Sequence, residues 1–307
     1  MNCELGYDRI YPMLNDIKQK RRIKKFKKIL VTGGAGVIGS YVSEVFKDSN
    51  IILTEKDTLD ITKKSQVLEQ VKKYNPDLII HLAALTNVDF CELNESIATK
   101  VNFEGTKNVA MVCKKYSIPL VYISTATVFD GKNPPKGGYT ENDKPAPINV
   151  YGKTKLLGEE IIKKTLKNYI LIRIGWLVGG GKNDKFFISY MSKKILRGEH
   201  IFAVNDIFGT LTYARDLLNF VKEKLDQQET GLFHLACRGA CSRYDIALVL
   251  KNILNPKVTV TPVSAQSFKK EFPAPRPKYQ IIQSKRHVLK QAWKTVLKEY
   301  IKTTYLQ

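Results

Sequence analysis

Cysteine is scarce in this 307-residue chain, and the five present (Cys3, Cys91, Cys113, Cys237 and Cys241) are odd in number and scattered. That pattern argues against a disulfide framework and suits a reducing compartment. Cys237 and Cys241 have only His234 nearby and no second pair, so no metal is expected. Long apolar runs are also absent. None reaches the ~18 residues needed to cross a bilayer, and the opening "MNCELGYDRIYPMLNDIKQKRRIKKFKK" lacks a signal-peptide core. A cytoplasmic protein with no membrane partner is the expectation.

Acidic residues are outnumbered, 29 against 50 Lys and Arg, which gives a net charge of +21. Residues 1–28 form a basic N-terminal extension with nine Lys/Arg and three Asp/Glu, yet the other 279 residues still carry +15. The excess is spread through the chain, so a lysine-rich bias explains it better than a nucleic-acid arm. A positive field would also serve an enzyme that handles polyanionic nucleotides.

From Lys28 onward, short apolar runs alternate with helical stretches. "KILVTGGAGVIGSYVSEVF" reads as strand, glycine turn and helix, and "NIILTEKD", "PDLIIHLAAL", "IPLVYISTATVF" and "YILIRIGWLV" read as further strands. Helical spacing in "SQVLEQVKKY", "KVNFEGTKNVAMVCKKY" and "YGKTKLLGEEIIKKTLK" separates them. Strands alternating with helices of this length predict an α/β fold, a Rossmann-type doubly wound parallel sheet over residues 29–178. Residues 179–307 are mainly a smaller C-terminal substrate-binding lobe, with some return to the sheet. In it "SRYDIALVLKNIL" is a helix capped by Ser242, while "FPAPRP" is too proline-rich for helix or central strand.

The first turn, "TGGAGVIG", places Gly33, Gly36 and Gly39 directly after a strand. Glycines at this spacing permit a tight turn, close approach of backbone to a pyrophosphate, and packing of helix on strand. Glu55 ends the second strand 22 residues after Gly33, where an acid can bind adenosine ribose hydroxyls. Lys56 follows and could meet a 2′-phosphate, so NADPH and NADH both stand as cofactors. Val37 and Ile38 in the turn, Asp60 and Ile61 after the second strand, and Ala83 and Ala84 after the third are further candidate cofactor contacts.

The strand ending "ISTATVFDG" brings the hydroxyls of Ser124, Thr125 and Thr127 to the same sheet edge. Tyr151 and Lys155 follow, at i and i+4 on one helix face. A nearby ammonium is expected to favour the phenolate and lower a pKa of about 10, which would make Tyr151 a usable acid or base.

With these motifs in order over roughly residues 28–285, the chain resembles the extended short-chain dehydrogenase/reductases. It looks closest to the dTDP-4-dehydrorhamnose reductase family, through "STATVFDG", "INVYGKTKLLGE", "RIGWLVGGGKNDKFF", "DIFGTLTYARDL" and "PAPRPKYQIIQSKR". The resemblance implies reduction of the 4-keto group of a nucleotide-linked 6-deoxy sugar, for deoxysugar and surface-polysaccharide synthesis. By position it makes Thr125 the hydroxyl that polarises the carbonyl, Tyr151 the proton donor, and Lys155 the binder of nicotinamide ribose. Val88, Thr125, Ala126, Trp176 and Arg276 are the candidate substrate contacts, and a homodimer is left open.

Three features depart from the family pattern. Ala126 and Thr127 replace the usual aspartate and aromatic, Leu211 replaces a proline, and the N-terminal extension is foreign. Two other readings use the same motifs: a nucleotide-sugar epimerase, and a non-catalytic regulatory subunit resembling that of methionine adenosyltransferase.

Overall fold

The strand expected at Lys28 is β1 (Lys28–Thr32), and its last four residues are buried. A computed structural model describes residues 26–181, 187–287 and 291–306. Most of the basic extension, and Cys3 with it, therefore lies outside the described residues. After β1 come a single 3-10 turn (Gly39–Tyr41) and α1 (Val42–Val45). The helix expected after the glycine turn is thus only about two turns long. Next are β2 (Asn50–Thr54), α2 (Lys64–Tyr74) and β3 (Leu78–His81). The expected long helix around "KVNFEGTKNVAM" is built in pieces: α3 (Val88–Leu93), α4 (Glu95–Thr99), a π segment (Lys100–Gly105) and α5 (Thr106–Tyr116). Then follow β4 (Leu120–Thr125), α6 (Val150–Thr165) and β5 (Tyr169–Ile174).

One predicted strand splits. At Gly175 the amide turns to Thr212 Oγ1 (3.0 Å) and the next, from Trp176, donates to the Thr210 carbonyl (2.7 Å). The chain thereby leaves the main sheet, and β6 (Trp176–Val178) pairs with β9 (Leu211–Tyr213) instead. The remaining elements are α7 (Phe187–Leu196), β7 (Ile201–Val204), β8 (Phe208–Gly209), α8 (Ala214–Asp226) and β10 (Gly231–Leu235). They are followed by β11 (Cys241–Ser242), α9 (Arg243–Leu254), β12 (Val260–Val263), β13 (Tyr279–Gln280) and α10 (Trp293–Tyr305). Ser242 caps α9 reciprocally with Asp245, as its sequence position predicts.

The main sheet has the order β10-β5-β4-β3-β1-β2, all parallel, so β10 returns from beyond residue 178 to the sheet edge. Helices cover both faces, which is why the central strands are apolar almost without alternation. One face packs on Val42, Phe46, Leu217 and Val221, the other on Val67, Val71, Val109 and Ile162. A separate core joins α7, α9 and α10 through Ile188, Ile195, Leu250 and Leu297. Cys237 and Cys241 belong to that core, and burial pushes both thiols up to about 12, so they are protonated packing groups. Because β2 lies on one side of β1 and β3 on the other, the order of strand addition reverses between β1 and β3. A crevice opens beyond the carboxyl ends of Thr32 and His81, where ligands bind in such sheets. No helix among the described residues is long and apolar enough to cross a membrane.

Candidate active site

The glycine turn lies at the mouth of that crevice. Gly33 has φ +69°, and a Cβ there would meet the Ala83 Cα and N at 2.8 Å, so only glycine lets β1 turn against the chain leaving β3. Thr32 Oγ1 holds this junction by accepting the Ala83 N–H (3.2 Å) and pairing with His81 Nδ1 (2.7 Å). The Glu55 carboxylate accepts the Ala35 N–H, which ties the end of β2 to the turn. Asp60 accepts from the Thr62 amide (3.0 Å) and hydroxyl (2.7 Å), and the hydroxyl bond holds its carboxyl below the usual range. The Ile61 side chain is buried below Gly105 and its carbonyl accepts from Asn108 Nδ2 (3.0 Å), so this sequence candidate does not line the cavity described below.

Helix α6 delivers the central pair. Asn149 caps it by accepting the Gly152 N–H (2.8 Å), a bond worth about 1 kcal/mol to the helix, and its amide donates to the Pro275 carbonyl (2.9 Å). A Cβ on Gly152 would lie 2.4 Å from the Thr127 carbonyl oxygen, so this glycine lets the first turn press onto the end of β4. Tyr151 and Lys155 then face a cavity of about 1200 Å³ with Ser124, Thr125 and Thr127. The cavity extends from the sheet edge past Ile38, Ala84, Val88 and Trp176 to Arg276 and the lobe. Ala126 stands apart. Its side chain packs with Val128, Phe129 and Tyr139 rather than lining the cavity.

The electrostatics reverse one sequence expectation. Burial pushes the Tyr151 phenol up to about 12, against a smaller opposing effect of Thr125, so the phenol is protonated at neutral pH. Lys155 does not provide the depression expected from the i,i+4 spacing. Burial pulls its own pKa down to about 7, and its ammonium lies 4.1 Å from the centroid of the Tyr122 ring. A protonated phenol suits the donor's role better than a phenolate. Arg276 also differs from a free substrate ligand, since its guanidinium holds Asp89 (2.5 Å) and the Ala274 carbonyl (2.7 Å).

Sequence reasoning missed three supporting groups. Glu159, one turn beyond Lys155, raises the lysine's proton affinity and bonds Ser124 Oγ (2.6 Å) and Arg173. Their signal was the i, i+4, i+8 spacing of Tyr151, Lys155 and Glu159, together with an arginine inside an apolar strand. Gln280 had no local signal. It reaches the site from β13, across a long stretch of sequence.

The residues present fit a dinucleotide. Gly33 makes a cradle that a side chain would fill, and the Lys155 side chain, buried along its length, faces the cavity with an ammonium that makes no hydrogen bond to any described residue. Ribose hydroxyls would satisfy it. Among the described residues no group of three or more His, Cys, Asp or Glu could hold a metal ion.

Residues 27–306 match the family model described as "RmlD substrate binding domain". The chain is 30% identical to the spore coat polysaccharide biosynthesis protein SpsK of Bacillus subtilis, over 89% of this chain and 96% of that one. It is 30% identical to the dTDP-4-dehydrorhamnose reductase of Mycolicibacterium smegmatis, over 93% and 86% of the two chains. The crystal structure of the Bacillus anthracis dTDP-4-dehydrorhamnose reductase in complex with NADP superposes with a TM-score of 0.85 at 34% identity, covering 91% of this chain and 100% of that one.

Proposed function

We propose, from the premise that this chain belongs to the RmlD substrate-binding-domain family, that it reduces the 4-keto group of a nucleotide-linked 4-keto-6-deoxy sugar with NADPH or NADH. The observation that carries this reading is the convergence of Thr125, Tyr151 and Lys155 on one cavity at the carboxyl edge of the sheet. The relatives named as dTDP-4-dehydrorhamnose reductases, and the one in complex with NADP, support the substrate class and the cofactor.

In this reading Gly33, Gly36, Val37, Ile38 and Gly39 hold the pyrophosphate side of the cofactor, with Glu55 toward the adenosine ribose. Asp60, Ile61, Ala83 and Ala84 line its path to Lys155. When bound, the reduced nicotinamide supplies the hydride to C4. The Thr125 hydroxyl donates to the ketone oxygen and draws charge toward it. The Tyr151 phenol, protonated at rest, gives its proton to that oxygen as it gains charge. Lys155 holds ribose hydroxyls. Val88 and Trp176 border the sugar, and residues 179–307 supply most of the nucleotide side.

A cytoplasmic location belongs to the same reading, since the described cysteines are all free thiols. A homodimer belongs to it too, and sedimentation would test that. The test of function is NAD(P)H oxidation with dTDP-, UDP-, GDP- and CDP-linked 4-keto-6-deoxy sugars. Stoichiometric oxidation with one of them is expected. A tightly held NAD with turnover that consumes no NAD(P)H would identify an epimerase instead. No turnover with any of them, together with stable capture of a partner protein, would identify a regulatory subunit.

A further inference from the structure

Thr127 and Gln280 lie outside the roles assigned so far, and both line the cavity beside Thr125 and Trp176. Thr125, Thr127 and Gln280 are at most 9% exposed, so water does not settle the directions of their hydrogen bonds. Thr125 Oγ1 accepts the Thr127 N–H at 3.1 Å, and the two hydroxyls are also 3.1 Å apart. Thr127 Oγ1 lies 3.4 Å from Gln280 Oε1. The Trp176 indole N–H donates to the same Oε1 at 3.2 Å, while Gln280 Nε2 donates to the Pro277 carbonyl at 3.3 Å.

These contacts give the chain of groups a direction. An indole N–H only donates and a carbonyl only accepts. Trp176 and Pro277 therefore fix the Gln280 amide with its oxygen toward Thr127. That oxygen accepts, so the Thr127 proton points to it. Thr127 is left to accept from Thr125, so at rest the single Thr125 proton points to Thr127 Oγ1. Two bonds to Thr127, one accepted from its N–H and one donated to its hydroxyl, fix the Thr125 hydroxyl at the cavity wall.

We propose that Thr127, Gln280 and Trp176 form a directed hydrogen-bond chain that fixes the Thr125 hydroxyl in the place from which it donates to the substrate carbonyl, with Thr127 and Gln280 as positioning residues. The proposal rests on the ketoreductase reading above. It also gives a role to Thr127, which stands where the resembling family carries an aromatic. On arrival of a ketone the Thr125 proton swings from Thr127 to the carbonyl oxygen, and no other bond of the chain has to reverse. Preorganisation of this kind acts on the transition state, where the oxygen is most negative, more than on ground-state binding.

The experiment uses the full chain and whichever 4-keto sugar nucleotide the wild type turns over. Thr127→Val keeps the shape and removes the hydroxyl, and is expected to lower kcat about 10- to 100-fold with KM and NADPH affinity within about 3-fold. Thr127→Ser restores the hydroxyl and should recover kcat to within about 3-fold of wild type. Gln280→Met, on another strand, should reproduce the Thr127→Val loss, and the double variant should be no worse than the poorer single one, because the chain acts as a unit. Wild-type kcat in Thr127→Val overturns the proposal, as does an equal loss in Thr127→Ser, or losses that multiply in the double variant. If Thr127→Val loses NADPH binding through misfolding, Gln280→Met alone decides by the same criterion. A wild type that reduces no sugar nucleotide instead overturns the ketoreductase reading itself.

Discussion

Arg173 closes a two-pronged ion pair on Glu159, with Nε and Nη2 at 2.9 and 2.6 Å from the two carboxylate oxygens and both side chains out of reach of water. The pair joins β5 to the helix that carries Tyr151 and Lys155, and Ser124 adds a third bond from β4. Glu159→Gln keeps the shape but leaves the arginine charge buried without its counter-ion. Such a loss costs about 3 kcal/mol. Urea unfolding should show it, and a change below about 0.5 kcal/mol would mean that the ion pair does not hold the helix in place.

Tyr151→Phe should leave NADPH affinity largely intact while lowering kcat by about 100-fold or more, since it removes only the proton that the new alkoxide needs. Fluorescence titration and steady-state kinetics separate the two effects. Near-normal turnover would remove Tyr151 from the mechanism. Because burial holds the phenol protonated up to about 12, wild-type activity should show no loss from tyrosine ionisation between pH 7 and about 10.

Lys155→Met should weaken both cofactor binding and rate, yet stabilise the unliganded fold. The lysine's folded pKa, about 7, is below its unfolded value, so folding discharges or desolvates it at any pH below the ordinary lysine value. Methionine removes that cost, by about 1 kcal/mol or more. In the wild type the same cost shrinks as pH rises above 7. Thermal melts without cofactor are the check, and a lower Tm for the variant would contradict the assignment.

Acid should destabilise the fold well before carboxylates titrate. Burial pulls His81 down to about 3 and His234 down to about 4, so each stays neutral in the folded state where the unfolded chain takes up a proton. Their contribution is fully present above the ordinary histidine value of about 6.5. It is lost as pH falls from there toward 4, by about 2 kcal/mol for each histidine at pH 5. Urea midpoints measured at neutral pH and at pH 5 should differ accordingly, and a flat profile would mean that the two imidazoles are solvated.

Local regularities were legible in the residues. The apolar strands, the Ser242 cap and the G-x-x-G-x-x-G turn each follow from neighbours a few positions apart. The alternation of strand and helix sufficed for a parallel sheet, and the i,i+4 spacing placed Tyr151 and Lys155 on one face. The length of the helix after the glycine turn and the break at Gly175 were not legible. The break depends on partners far away in sequence, Thr210 and Thr212.

By itself, then, the sequence determined the fold class, the order of the elements and which side chains could carry the chemistry, because these rest on periodicity and on short-range geometry. Only the tertiary structure decided the charge states and the partners. Whether Tyr151 rests as phenol or phenolate is a contest between burial and a neighbouring cation, and spacing along a helix cannot weigh it. Whether Arg276 is free depends on Asp89, and the direction of the Thr127 hydroxyl depends on Gln280. Those contacts join residues more than a hundred positions apart, and only packing brings them within hydrogen-bond reach.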